Sequence, residues 1–104
     1  MLSLPGNDSL KGKRRVKRRI ADRVRHRFNA AIAEVASLEA HRRLVLGVAV
    51  VSNDPRHASS MLERVGAFVA GASEAVLVER STELVHLGDE LGAFDGEGWG
   101  GSDG

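Results

Sequence analysis

The 104-residue sequence predicts an α+β fold in which two helices cover one face of an antiparallel sheet. Apolar residues recur at helical spacing over residues 10–28 and 55–70. Residues 30–35, 44–51 and 75–87 are instead short apolar runs, which are typical of strands. The predicted order along the chain is therefore helix, strand, strand, helix, strand.

The first helix follows an N-cap at residues 8–9 and carries two opposed arcs of side chains. The apolar arc consists of Leu10, Val16, Ile20, Ala21, Val24 and Phe28. Lys13 and Lys17 fall inside this arc. We therefore expect their aliphatic stems to lie along the core while their ammonium groups reach water.

The next two predicted strands, residues 30–35 and 44–51, are joined by a polar hairpin connection. The second of them is a continuous apolar run, which predicts a central strand at least partly covered on both faces. On the first, Glu34 stands beside apolar neighbours, and we expect its side chain to face solvent. Asp54 is expected to cap the second helix, and Gly71 to end it.

This order matches a split βαβ, ferredoxin-like arrangement, which requires a strand before the first helix. Only residues 1–4 are available for it, so we expect the first strand to be mostly missing and the native chain to start further upstream. Residues 1–87 are predicted to form a single domain. Residues 88–104 contain seven glycines, five acidic residues and no basic residue, which predicts a disordered acidic Gly-rich tail.

The composition excludes several classes of protein. The absence of cysteine rules out a disulfide framework, a thiolate zinc site and a cysteine nucleophile. The four histidines are scattered without metal-ligand spacing, so we expect neither a metal nor a cofactor. No apolar run reaches the roughly 18 residues of a membrane span. The N-terminus lacks a signal-peptide pattern, which predicts a cytoplasmic location.

Charge is divided unevenly along the chain. Residues 1–43 carry twelve Lys and Arg against four Asp and Glu, whereas residues 44–104 carry three against ten. Six basic residues share the polar face of the first helix: Lys11, Arg14, Arg15, Arg18, Arg19 and Arg25. Such a stripe can neutralise the phosphates of a nucleic acid and is a candidate contact surface. The alternatives are a solvated helix face, or contact with an acidic protein or with the chain's own tail.

The connection before the second helix contains Ser52, Asn53 and Asp54, with His57 one turn later. Helix capping explains these residue types at this spacing. A weaker hypothesis is an anion contact at the helix start through Asn53, Arg56 and His57. We predict no catalytic residues, because neither a nucleophile–base pair nor a metal constellation is visible.

A family resemblance is carried by five stretches: residues 4–15, 27–29, 33–35, 46–54 and 56–57. They resemble the YlxP-like family, small bacterial proteins classed as a domain of unknown function. The resemblance implies a ferredoxin-like fold and no established activity. Family members are often encoded near genes for translation initiation and ribosome maturation, which hints at ribosomal RNA. Gly12 departs from the family's usual acidic residue, which removes a capping-box partner for Ser9.

The leading hypothesis is an uncharacterised non-enzymatic domain, RNA- or ribosome-associated through its basic first helix. Its partner would be ribosomal RNA or another RNA. The predicted strands offer no aromatic residues on which bases could stack, so we expect backbone charge to drive binding. The alternative is a protein-interaction or self-association module, such as a homodimer, that uses an exposed sheet edge.

Overall fold

A computed structural model of the chain describes residues 1–72 and 74–86. Its elements are β1 (Leu2–Ser3), α1 (Leu10–Arg27), β2 (Ala31–Ala36), β3 (Arg43–Ala49), α2 (Pro55–Ala70) and β4 (Val76–Leu77). The strands form one antiparallel sheet in the order β2-β3-β1-β4. This is a split βαβ, ferredoxin-like arrangement, so the predicted fold class is confirmed. The predicted tail, residues 88–104, lies outside the described residues.

β1 lies in the interior of the sheet although it is only two residues long. Leu2 pairs with Leu44 on β3 and with Leu77 on β4. Just beyond β1, the Leu4 amide donates to the Arg42 carbonyl at 3.0 Å. The short first segment therefore occupies the place that the fold requires and joins β3 to β4.

The core lies between the sheet and the two helices. The strands contribute Leu2, Ile32 and Leu44, all at most 5% exposed. The helices contribute Ile20, Ala21, Val24, Val65 and Val69. Each large apolar side chain buried here contributes about 1.5–3 kcal/mol, so this layer holds α1 and α2 against one face of the sheet.

Both helices begin with a side-chain cap. Ser9 Oγ accepts a hydrogen bond from the Gly12 amide at 3.0 Å, and Asp54 Oδ1 accepts one from the Arg56 amide at 3.0 Å. Gly71 is the C-cap of α2. The predicted helix boundaries are thus confirmed to within a residue, because both N-terminal ends and the C-terminal end of α2 carry their own local signals.

The last strand is much shorter than the sequence predicts. A strand was expected over residues 75–87, but β4 spans only Val76–Leu77, and residues 78–86 form neither helix nor strand. β4 pairs only with β1, which offers two residues to pair with. The length of a strand depends on the partner strand as well as on its own side chains.

The face of the sheet away from the helices is lined by small apolar residues. Ala31, Ala33 and Ala49 are exposed, and Val35 is 60% exposed. Gly47 of β3 is half-buried because the side chain of Val35 packs across it. β3 is therefore covered by helices on one face and only partly covered, by its neighbours, on the other.

Candidate nucleic-acid interface

The residues predicted to contact nucleic acid lie on the exposed face of α1. All six are exposed: Lys11, Arg14, Arg15, Arg18, Arg19 and Arg25. α1 is oriented by its buried residues Ile20, Ala21 and Val24, which pack against the sheet and leave the opposite face to solvent.

Two of these six basic side chains form ion pairs with acidic residues of the chain. Arg19 forms an ion pair with Glu74. Arg25 lies 3.5 Å from Asp22 Oδ1 and donates to the Ile32 carbonyl at 2.9 Å. The other four form no ion pair with any residue that the structure describes: Lys11, Arg14, Arg15 and Arg18. We call these four residues the basic face; of the six predicted contact residues, those without an ion pair lie in the first half of α1.

The basic face coincides with the positive end of the helix dipole. From Lys11 to Arg18 the helix rises about 10 Å, so the four charges lie close together. The first turn of α1 contains no acidic residue to neutralise the partial positive charge of the helix N-terminus. Side chains and backbone therefore favour an anion at the same end of α1.

Lys13 does not belong to this surface. It is 1% exposed, its Nζ lies 2.7 Å from Glu34 Oε2, and it donates to the carbonyls of Ser37 at 2.9 Å and Leu38 at 3.0 Å. The expectation that the ammonium group reaches water is wrong, and so is the expectation that Glu34 faces solvent. Glu34 shares the core side of β2 with Ile32, and each charge offsets the desolvation of the other.

The three residues of the weaker anion hypothesis, Asn53, Arg56 and His57, are exposed near the start of α2. The Asp54 carboxylate already accepts from the Arg56 amide in the first turn, which confirms the capping interpretation. His57 instead lines a cavity that also contains Arg27 from the end of α1. The structure therefore associates His57 with a different group of residues.

Two cavities lie beside α2. One, of about 390 Å³, lies between the sheet and α2 and is lined mainly by apolar side chains such as Leu46, Val65 and Leu77. The other, of about 580 Å³, is lined by the basic residues Arg27, His57 and Arg64, the aromatic residues Phe28 and Phe68, and Asn29, Met61 and Ala67. This second cluster was not predicted from the sequence. A signal exists, because four of its five α2 residues recur at helical spacing: His57, Met61, Arg64 and Phe68.

Two classes of feature are absent from the described part of the chain. Within residues 1–72 and 74–86, no three His, Cys, Asp or Glu side chains are grouped so as to hold a metal ion. None of the helices in these ranges is long and apolar enough to cross a membrane.

Residues 1–82 match the model of a family described as a protein of unknown function, DUF503. The chain belongs to this family. The uncharacterised protein YlxP of Bacillus subtilis (strain 168) is 39% identical over 61 residues, which are 59% of this chain and 66% of that protein. The match thus spans just under two thirds of the relative's length. The resemblance to the YlxP-like family is confirmed, and neither description of a DUF503 protein names an enzymatic activity.

Proposed function

We propose that this DUF503 protein is a non-enzymatic cytoplasmic domain that is RNA- or ribosome-associated through α1. The observation that supports this function is the basic face: Lys11, Arg14, Arg15 and Arg18 are exposed and lack ion-pair partners in the described chain. Four such charges within about 10 Å of helix repel one another, and a phosphate backbone relieves that repulsion and releases its own counterions.

The side chains of the basic face and of the sheet favour contact with the RNA phosphate backbone over recognition of the bases. Arginine predominates on the basic face, and its guanidinium forms two parallel hydrogen bonds with phosphate oxygens. The uncovered face of the sheet carries alanine and valine residues such as Ala31, Ala33 and Val35. These residues offer no aromatic ring on which a base could stack. Binding is therefore expected to depend strongly on salt and weakly on RNA sequence.

The test is a salt titration of RNA binding by fluorescence anisotropy. If the basic face contacts four phosphates of a single-stranded RNA, log K falls with log salt at a slope of about −3. Arg14→Gln/Arg15→Gln/Arg18→Gln should reduce that slope to about −1. The matched control removes three exposed arginines outside α1: Arg43→Gln/Arg56→Gln/Arg80→Gln.

The control changes the net charge by the same amount as the helix variant. It should therefore retain most of the affinity and most of the slope. Equal losses in the two variants would mean that net charge alone drives binding, and the assignment to α1 would be wrong. No binding at low salt by the unaltered chain would reject the function itself.

A second candidate is self-association through the uncovered sheet face and its edges. Val35 on β2 and Val76 on β4 are 60% and 54% exposed, and both belong to edge strands. Exposed apolar side chains on edge strands are typical of surfaces that pair with another chain. Sedimentation equilibrium should then show a dimer that resists salt and that Ala33→Glu dissociates. A monomer at every accessible concentration would rule this candidate out.

A further inference from the structure

The cavity of about 580 Å³ opens where the C-terminal end of α1 meets α2. One face of α2 lines it with residues at three- or four-residue spacing: His57, Met61, Arg64 and Phe68. The end of α1 lines it with Arg27, the last residue of the helix, and Phe28, its C-cap. The cavity is therefore built by two packed helices and is separate from the basic face.

Aromatic rings line this cavity. The rings of Phe28 and Phe68 meet edge to face, with centroids 5.7 Å apart and planes at 72°. The Arg27 guanidinium lies 5.3 Å from the Phe68 centroid and 6.0 Å from the Phe28 centroid. This cation–π contact holds the guanidinium beside both rings, and its N–H donors form no hydrogen bond with the described residues, so they remain available to a ligand.

Three basic side chains, Arg27, His57 and Arg64, surround these rings. No acidic side chain lines the cavity among the described residues, and none of the three forms an ion pair within that part of the chain. A concave site lined by one sign of charge concentrates ligands of the opposite sign. Two arginines within it supply the forked donors that fit phosphate oxygens.

We propose that this cavity binds a nucleotide, with the base against Phe28, Phe68 and the Arg27 guanidinium, and the phosphate at Arg64 and His57. A nucleotide fits better than two other classes of ligand. An inorganic anion would make no contact with the aromatic rings, and an apolar ligand would leave the arginines without partners. Bases stack on phenylalanine rings and on guanidinium planes, and the cavity volume falls within the roughly 300–1,000 Å³ of small-molecule sites.

The nucleotide is either a free mononucleotide or one residue of an RNA chain. In the second case the inference rests on the proposed RNA contact of α1. Arg27 lies about 13 Å along the helix axis from Arg18 and, about two and a half turns on, on the opposite side of α1, so one strand would have to pass around the C-terminal end of the helix to reach both surfaces. The cavity would then add a stacked base to a contact that is otherwise made by charge alone.

Titration with adenosine 5′-monophosphate, followed by amide chemical shifts, tests the site. We expect the amides of residues 27–29 and 57–68 to shift, with adenosine and inorganic phosphate each binding about tenfold more weakly or worse. Arg64→Gln should weaken binding about tenfold, whereas Arg56→Gln, on the same helix but outside the cavity, should not. No shifts with millimolar nucleotide would overturn the inference.

Titration with a single-stranded RNA hexamer distinguishes a free nucleotide from a residue of RNA as the ligand. It also tests the RNA contact of α1 separately from the nucleotide site in the cavity. If the cavity holds one residue of the RNA, the hexamer shifts the same amides and Arg64→Gln lowers its affinity. If the ligand is a free nucleotide, only the monophosphate shifts these amides and only its affinity falls in Arg64→Gln. If the hexamer shifts only amides in the first half of α1 and the monophosphate does not bind, nucleotide binding in the cavity is overturned and the RNA contact of α1 stands. Monophosphate binding without RNA binding would support the cavity and reject the proposed function.

Discussion

The ammonium group of Lys13 meets the carboxylate of Glu34 inside the protein, 2.7 Å away, on the side of α1 opposite its exposed charges. The same ammonium donates to two carbonyls of the connection between β2 and β3, those of Ser37 and Leu38. Ser37 has a φ of +56°, in the left-handed region that most residues avoid. One buried side chain thus joins α1, β2 and the hairpin connection.

Removing one partner of this ion pair should destabilise the fold strongly. Lys13→Met leaves the Glu34 carboxylate buried without a counterion, which should cost about 3–5 kcal/mol in the free energy of unfolding. Lys13→Met/Glu34→Leu removes both charges and should recover the part of that loss due to the unpaired carboxylate, but not the part due to the hydrogen bonds to Ser37 and Leu38. Urea denaturation followed by circular dichroism measures both variants. The control is Lys11→Met on the exposed face, expected to change stability by about 0.5 kcal/mol or less.

If Lys13→Met does not fold at all, Glu34→Gln gives a milder version of the test. The amide keeps the volume of the carboxylate and loses its charge, so a partial loss of about 1–3 kcal/mol is expected. If both single variants are as stable as Lys11→Met, the buried pair contributes nothing to the fold.

The Arg19–Glu74 ion pair should limit RNA binding by the basic face. Glu74→Gln frees Arg19 to make one further phosphate contact, which steepens the salt slope on single-stranded RNA by about 0.7. Stability should change by at most about 1 kcal/mol, because both partners are partly exposed. Anisotropy titrations across salt concentrations measure the slope for each variant.

Glu63→Gln is the matched control for this variant. It also releases an arginine from an ion pair, but that arginine, Arg80, follows β4 and is not part of α1. An equal increase in slope for Glu63→Gln and Glu74→Gln would contradict a specific role for α1. An increase for Glu74→Gln alone would extend the RNA contact to Arg19.

Local signals in the sequence predicted the helices, the hairpin and the caps, because each depends on residues near one another in the chain. Lys13 and Glu34 were misplaced because each was judged only against its own helix or strand. Their partnership depends on α1 crossing β2. Signals were nonetheless present: Lys13 lies in the apolar arc, and Glu34 is two residues from buried Ile32.

The length of β4 and the presence of the second cavity could not be predicted from local signals in the sequence. β4 ends at Leu77, opposite Leu2, the residue at which its antiparallel partner β1 begins, whatever the strand propensity of the residues that follow. The cavity joins Arg27 and Phe28 to a face of α2 about thirty residues further on. Its residue types predict a site only once the packing of the two helices is known.

Two glycines in the helices should respond oppositely to alanine. A Cβ on Gly12 would overlap Asn7 Oδ1, and the Asn7 amide group is held by hydrogen bonds to the carbonyls of Ser9 and His41. Losing both bonds costs about 2 kcal/mol, more than the roughly 1 kcal/mol that alanine gains in a helix. Gly12→Ala should therefore be destabilising by about 1 kcal/mol.

A Cβ on Gly66 would overlap only the Arg80 side chain, whose guanidinium end is exposed and free to swing away. Gly66→Ala gives up a surface ion pair worth at most about 1 kcal/mol and gains helix propensity of similar size, so it should be neutral or stabilising. Chemical denaturation of both variants checks the signs. Asn7→Ala/Gly12→Ala should be more stable than Asn7→Ala alone, because the overlap is gone and the alanine favours the helix. If Gly12→Ala alone raised stability, the contact with Asn7 would not be what requires glycine at this position.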